Sequence, residues 1–276
     1  MSQAMNFSPY KPPRVRPLDA AIAILRLLRD PQDTTQVFRL TDALRGSSGV
    51  KPYQRFRESP VGARIIAERR HLINALADRA ALAKLPDNSV GRRYLAFMAE
   101  ENLTAEGLAE ISSDAIASLA NREEGARIFA TRMRDMHDLY HVLAGYGRDE
   151  LGEVCVLAFS YPQQKIRSFA VIATLVRLRI GQLLRQSKLK ISGVAEAVRE
   201  AALHGSQADW LPGEDLELLL AEDVDVVRAR LGIAPPTRYQ AVLKQIAART
   251  GAKVTTFSAL RAQMVARQND EREHCP

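Results

Sequence analysis

Two histidines and two carboxylates lie close together in HDLYHVLAGYGRDELGE, residues 137–153. On a helix, His137 and His141 lie about one turn apart on the same face, and Asp138 falls within about 100° of His137. Glu153 follows twelve residues after His141. Imidazole nitrogens and carboxylate oxygens together suit Zn²⁺, Fe²⁺ or Mn²⁺ better than Mg²⁺. By spacing alone, the group is either a metal site or a hydrogen-bonded surface cluster.

The motif also bears on one enzyme class. The metalloprotease motif HExxH has a glutamate as its general base, whereas HDLYH has the shorter Asp138 at that position. A protease is therefore not expected.

The metal hypothesis requires two helices that fold back on each other. Residues 122–145 have helical periodicity ending at Gly145, and a second helix is predicted over about 149–160. The glycine-containing turn between them should reverse the chain, and Glu153 lies one turn into the second helix. An antiparallel hairpin therefore predicts that Glu153 approaches the histidine pair.

Two single residues and an apolar stripe near the motif also call for an interpretation. Arg134, one turn before His137, could pair with a substrate carboxylate or form a surface ion pair, and we favour the ion pair. Cys155 is interpreted as a core residue. An apolar stripe beside the predicted ligands could face a lipid tail. It consists of Phe129, Met133, Met136, Tyr140 and Leu143.

The composition indicates a globular, helical protein. Of the 276 residues, 46% are hydrophobic, and Ala, Leu and Arg are abundant. Two cysteines argue against a disulfide framework. The sequence has neither a signal-peptide pattern nor an uncharged run of apolar residues long enough to span a bilayer. The net charge of +7 favours anionic partners, namely nucleic acid, acidic lipid or a phosphorylated ligand.

The periodicity predicts an all-α fold, a multi-helix bundle with a C-terminal helical appendix. We expect a flexible arm over 1–16, a helical domain over 17–236, and a helical extension over 237–276. The extension is either a DNA-binding helix-turn-helix or a hairpin packed on the main domain, and we favour the hairpin. The remaining predicted helices cover 18–30, 33–46, 59–85 as one kinked helix or two, 86–102, 103–121 as one or two short helices, 165–187, 192–204 and 214–233.

Residues 154–193 contain no Asp or Glu but hold seven cations. These are Lys165, Arg167, Arg177, Arg179, Arg185, Lys188 and Lys190. Cations among apolar residues fit a surface that faces acidic lipid headgroups. They equally fit a core helix whose long side chains reach water.

The motif resembles a known family signature. HDLYH with eleven residues before Glu153 resembles the HDxxHx11E signature of the ubiquinone (coenzyme Q) biosynthesis protein 4 family. Three further stretches are similar to family segments: ESPVGARIIAERRHL at 58–72, LPDNSVGRRYLAFM at 85–98 and VRARLGIAPP at 227–236. The resemblance covers roughly residues 17–236.

The resemblance implies an all-α, homodimeric protein on a membrane face that binds a polyprenylated ring intermediate. It implies a metal-dependent lyase that removes the C1 carboxylate of the polyprenyl-hydroxybenzoate ring. The decarboxylation is either a simple one or one that is coupled to hydroxylation. The alternative is a non-catalytic prenyl-lipid-binding scaffold that organises the other ubiquinone-biosynthesis enzymes. The implied ligands, through which catalysis would occur, are His137, Asp138, His141 and Glu153. Zinc is the expected metal, with iron and manganese as alternatives.

Two departures from the family bear on setting and partners. The sequence has no mitochondrial-type leader, so we expect a bacterial cytoplasmic protein, peripheral on the inner face of the cytoplasmic membrane. It also has forty residues after Pro236. Nucleic acid binding by this extension is not favoured.

Overall fold

The computed structural model describes residues 14–29, 34–100, 123–186 and 190–250. These residues form fifteen α-helices and one short 3-10 helix, Leu211–Gly213, and contain no β-strand. The predicted all-α fold is confirmed. In chain order the helices are α1 Pro17–Arg29, α2 Thr34–Leu44, α3 Val50–Glu58, α4 Pro60–Ala67, α5 Leu72–Ala77, α6 Arg79–Ala83, α7 Val90–Glu100, α8 Glu124–Asp135, α9 His137–Ala144, α10 Glu150–Gln164, α11 Arg167–Gln186, α12 Val194–Gln207, α13 Leu216–Leu219, α14 Val224–Arg230 and α15 Thr237–Thr250.

Helix α10 lies at the centre of the main hydrophobic core and packs against α11 and α12. Its Leu151, Val154 and Phe159 are fully or almost fully buried. Helix α12 has small residues at four-residue spacing, namely Ala197, Ala201 and Gly205. A Cβ at Gly205 would clash with the backbone of Phe159, so the glycine permits the close approach of α12 to α10.

The first helix of the C-terminal extension belongs to this core. Tyr239, Val242 and Ile246 of α15 are buried in it, and α15 packs on α12 and α10. The second predicted helix of the extension, in 251–276, lies outside the described residues. So do most of the predicted N-terminal arm, the helices predicted over 103–121, and Lys188 of the basic stretch.

One predicted helix is wrong in extent. The sequence predicts a single helix over 214–233, but the structure has α13, a break, and α14. Backbone amides from the start of α7 explain the break, because Val90 and Gly91 donate to the carbonyls of Glu222 and Leu220. Asp223 then starts α14 by accepting two backbone N–H bonds.

Two further boundaries differ from the prediction. The predicted helix over 122–145 is divided at Met136 into α8 and α9, where ψ is −4°. The segment 59–85 contains three short helices rather than one or two. The split at Met136 begins a new helix at His137, the first residue of the chemical motif.

The N-terminal helix α1 packs on α2 through small residues. Ala20 and Ala23 are buried there, whereas Leu18, Ile22 and Leu25 on the opposite side of α1 are exposed. Part of the apolar surface of α1 therefore faces outward, although Leu27 is buried and Ile24 packs against the same cluster as Ala20 and Ala23. Among the described helices, none is both long enough and apolar enough to cross a bilayer.

Candidate metal centre

The turn between α9 and α10 brings the predicted ligands together. Glu153 Oε2 lies 3.4 Å from Nε2 of His137 and 3.4 Å from Nε2 of His141. Gly145 ends α9 in the left-handed conformation, with φ 75°. Asp149 begins α10 by accepting backbone N–H bonds from Leu151 and Gly152. The predicted approach of Glu153 to the histidine pair is therefore present.

Asp138 lies close to the two histidines. One donor atom from each of His137, Asp138 and His141 lies within 4.8 Å of the others, a spacing that could hold a metal ion. Asp138 and His141 are buried, while the side chains of His137 and Glu153 are about one-third exposed. The group therefore has a buried half and a half open to solvent.

The ring orientation of His141 is fixed by the backbone. Its Nδ1 lies 3.1 Å from the carbonyl oxygen of Tyr146. Because a carbonyl only accepts, we assign the proton to Nδ1, which leaves the lone pair of the neutral ring on Nε2. That nitrogen is buried and makes no hydrogen bond among the described residues. The lone pair therefore faces Glu153 Oε2, another acceptor.

Two acceptors at this distance require a proton or a cation between them. Burial alone would raise the pKa of the Glu153 carboxyl, but the contacts with His137 and His141 outweigh it and hold that pKa well below its usual value. Burial likewise lowers the pKa of His137, yet the contact with Glu153 raises it above its usual value. Glu153 is therefore an anion at neutral pH, and His137 beside it favours a positive charge.

Asp138 supplies a second carboxyl group, whose pKa is shifted in the opposite direction from that of Glu153. Burial raises the pKa of Asp138 above its ordinary value, against the opposing effect of both nearby histidines. A divalent cation would favour the ionised carboxylate, as it does for metal-ligating carboxylates in general. Two imidazoles and two carboxylates are a chemically suitable donor set for zinc, iron or manganese, so the residues present fit such an ion.

Arg148 is a member of the site that sequence reasoning missed. Its Nε donates to Glu153 Oε1 at 3.2 Å. Its Nη1 is buried and makes no hydrogen bond within the described part of the chain. The only local signal was a lone cation in the turn before Glu153. Arg134, the arginine considered from sequence, instead pairs with Asp135, with Nε 2.6 Å from Oδ1.

The apolar wall of the site also differs from the predicted stripe. Phe97 of α7 stacks on the His141 ring with centroids 5.2 Å apart, a contact that sequence spacing did not indicate. The stripe itself is largely interior. Met136, Tyr140 and Leu143 are buried in the main core, Phe129 lies in a smaller cluster with Met133 packed against it, and Cys155 is a buried core residue as expected.

Residues from the C-terminal part of the chain fix the turn that carries the site. Tyr239 Oη donates to the Asp149 carboxylate and accepts from the Gly147 N–H at 3.0 Å. Arg228 donates to two carbonyls in the last turn of α9, each at 2.9 Å. Both sides of the turn between α9 and α10 are therefore held by helices far away in sequence.

Comparison with known proteins places this arrangement in a family context. The family model described as "Coenzyme Q (ubiquinone) biosynthesis protein Coq4" matches residues 16–237. The chain is 32% identical over 164 residues to a zebrafish (Danio rerio) ubiquinone biosynthesis protein COQ4 homolog, described as mitochondrial; the match covers 58% of each chain. It is 31% identical over 199 residues to the mitochondrial coq4 protein of Talaromyces stipitatus, covering 69% of this chain and 64% of the relative.

The match therefore spans less than two thirds of the length of these relatives. The crystal structure of a "Putative ubiquinone biosynthesis protein" from Nostoc punctiforme superposes with a TM-score of 0.59. The two share 20% sequence identity, and the match covers 80% of this chain and 99% of the other. This likeness shows a common fold. Tyr239, which holds the turn at the site, lies just beyond the residues that the family model matches.

Proposed function

The chain belongs to the Coq4 family of coenzyme Q (ubiquinone) biosynthesis proteins, and from this premise we propose that it removes the C1 carboxylate of the polyprenylated benzoate ring. The proposed activity is a metal-dependent lyase reaction, with hydroxylation at the same carbon as a coupled step where an oxidant is present. One observation supports the proposal above others: Glu153 Oε2 lies 3.4 Å from both histidine Nε2 atoms, and the Nε2 of His141 has no hydrogen-bond partner among described residues.

The proposed metal ligands are His137, Asp138, His141 and Glu153, with zinc as the first metal to test and iron or manganese as alternatives. When bound, the cation would supply a Lewis acid that stabilises negative charge on the substrate. The chain's own residues orient the site. The Tyr146 carbonyl fixes the tautomer of His141, and the stack of Phe97 restrains its ring.

Decarboxylation breaks the bond between the ring carbon and the carboxylate and releases carbon dioxide. The bonding electron pair stays on the ring carbon, which then takes up a proton. Carbon dioxide is lost more readily when the site limits the water around the carboxylate. Burial of Asp138 and His141 provides such surroundings on one side. The one-third exposed His137 and Glu153 leave the other side open to a substrate.

A direct experiment supplies purified protein, loaded in turn with zinc, iron or manganese, with a short-tailed prenyl-hydroxybenzoate. Loss of the ring carboxylate is followed by mass spectrometry, with and without oxygen. We expect decarboxylated product from the wild-type protein and at least about a hundredfold less from His141→Ala, because one ligand is lost. An exposed control, Glu196→Gln, should retain activity.

Survival of the ring carboxylate under every metal and oxygen condition would contradict the lyase proposal. Binding of the prenylated ring without turnover would then favour the scaffold alternative, in which the protein holds the intermediate for other ubiquinone-biosynthesis enzymes. Hydroxylated product only in oxygen would support the coupled reaction, since hydroxylation requires an oxidant.

We also propose that the protein acts as a homodimer, peripheral on the inner face of a bacterial cytoplasmic membrane. Support for the membrane comes from the outward Leu18, Ile22 and Leu25 of α1 and from exposed cations at Lys165, Arg167, Arg185 and Lys190. Flotation with anionic vesicles should exceed flotation with neutral vesicles and weaken with salt. Equal flotation with both would count against electrostatic docking.

A further inference from the structure

Arg148 occupies an unusual position relative to the proposed ligands. Its Nε contacts one oxygen of the Glu153 carboxylate, while the other oxygen contacts both histidines. The carboxylate of Glu153 therefore lies between the guanidinium and the imidazole nitrogens. The side chain is 28% exposed, so it belongs to the boundary between the protein interior and the open side of the site.

The contacts of Arg148 leave part of its donor capacity unused. A guanidinium has five N–H donors in a rigid plane. Only Nε makes a hydrogen bond among the described residues, and Nη1 is buried without a partner. A buried, charged donor without a partner costs free energy. Such a cost is understandable where the donor is reserved for a ligand.

The charges around Arg148 indicate the sign of that ligand. Asp138 and Glu153 supply two negative charges when ionised, which a divalent cation would balance. Arg148 adds one positive charge. Among the described carboxylates of the site, only that of Glu153 contacts it. Asp149, its neighbour in sequence, is turned away and is occupied by Tyr239 and the start of α10. The loaded site therefore has an excess positive charge suited to one monoanion.

We propose that Arg148 recognises the carboxylate of the substrate through its terminal guanidinium nitrogens, an inference that rests on the proposed lyase function. Glu153 orients the guanidinium through Nε, and Nη1 donates to the carboxylate oxygen. Arginine suits this task because its planar fork matches carboxylate geometry and remains charged at any physiological pH. Arg148 thereby selects ring acids over the uncharged products of decarboxylation.

The selection also has a consequence for turnover. Once carbon dioxide has left, the product ring lacks the group that Arg148 holds. The product is bound less tightly than the substrate by the contribution of those charge-assisted hydrogen bonds. Arg148 thus favours entry of the acid and exit of the product from the same site.

The test compares two matched ligands by calorimetry: a short-tailed prenyl-hydroxybenzoate and the corresponding prenylphenol, which lacks the carboxylate. Full-length wild-type protein should bind the acid about tenfold or more tightly than the phenol. Arg148→Met should abolish that preference and leave phenol binding unchanged. Arg148→Lys should restore part of it, because a lysine keeps the charge but not the fork. Arg199→Met, an exposed arginine on α12, is the matched control.

Metal content and the thermal midpoint of each variant establish that the site is still formed. Should Arg148→Met fold poorly, Arg148→Gln serves in its place. Undiminished preference for the acid in a folded variant would overturn the role of Arg148 even if the wild-type protein decarboxylates its substrate. Conversely, acid preference that depends on Arg148 without any turnover would uphold this inference while the lyase proposal fails.

Discussion

Arg132 and Arg148 each contact a glutamate, but they do so with different nitrogens. Arg132, on α8, uses its terminal pair: Nη1 and Nη2 each lie 2.8 Å from an oxygen of Glu217. Arg148 uses Nε for Glu153 and leaves Nη1 without a described partner. The carboxylate-binding fork is therefore filled by the protein in one case and available in the other.

The same contrast separates two larger regions. Around α4 and α13, Asp215 accepts from Arg64 at 2.7 Å and from Arg70 at 2.9 and 2.8 Å. Its carboxylate is satisfied by two arginines of opposite charge. At the α9–α10 hairpin, imidazole and carboxylate acceptors instead face one another. A buried arginine nitrogen without a described hydrogen-bond partner occurs in both regions, at Nε of Arg132 and at Nη1 of Arg148. The regions differ because complementary partners fill the first, which stabilises the fold, whereas acceptors face one another in the second, which suits a bound cation.

The largest expected effect on stability comes from Arg132→Met. Arg132 is 1% exposed, and its loss leaves the Glu217 carboxylate uncompensated in a largely buried setting. We expect the free energy of unfolding, measured by urea denaturation, to fall by about 3–5 kcal/mol. Metal content of the folded fraction should not change. Arg199→Met, at a 73% exposed ion pair, should cost no more than about 0.5 kcal/mol. A loss below about 1 kcal/mol for Arg132→Met would remove the contrast between the two arginines.

A smaller, pH-dependent effect is expected from Asp215→Asn. Burial alone would raise the pKa of Asp215, but Arg70 and Arg64 outweigh it and lower that pKa below its ordinary value. The ion pairs therefore stabilise the fold fully above the ordinary aspartate pKa of about 3.9, and this stabilisation is lost as pH falls towards the lowered value. Wild type should exceed the variant by about 2 kcal/mol at pH 7.

Urea titrations at pH 7, 5 and 3 measure this difference. The gap between the two proteins should persist from pH 7 to 5 and shrink at pH 3. A gap that stays constant down to pH 3 would show that Asp215 remains ionised throughout, and a gap absent at pH 7 would show that its arginine contacts do not stabilise the fold. Asp225→Asn, at an exposed carboxylate on α14, is the control.

A smaller effect on stability than for Arg132→Met or Asp215→Asn is expected from Glu153→Gln in metal-free protein. The Glu153 side chain is 33% exposed, so solvent screens its contacts, and we expect a change of no more than about 1 kcal/mol. Zinc affinity, measured by competition with a chelator, should nevertheless fall about 100-fold or more. Full zinc affinity in this variant would remove Glu153 from the ligand set, while Glu196→Gln should leave both quantities unchanged.

Local signals explain why part of the site could be predicted. Helical spacing places His137 and His141 on one face, Gly145 ends their helix, and Asp149 starts the next. Each of these choices depends on residues within a few positions of one another. The approach of Glu153 to the histidines follows from them, because a short turn leaves the chain few alternatives.

Long-range contacts explain what could not be predicted. Phe97 reaches His141 from a helix forty-four positions earlier, and Tyr239 reaches Asp149 from ninety positions later. The division of 214–233 into α13 and α14 likewise depends on hydrogen bonds to residues near the start of α7. No periodicity within a short window carries information about such partners.

The sequence by itself determined the all-α fold class, the hairpin and the set of nitrogen and oxygen donors, because helix periodicity, caps and residue chemistry act locally. Tertiary structure alone decided that the His141 lone pair faces a carboxylate and that Arg148 uses Nε while keeping Nη1 unpaired. Those outcomes depend on which groups remain unsatisfied once helices distant in sequence have packed together. Hydrogen-bond partners in a folded interior are a property of the whole packing.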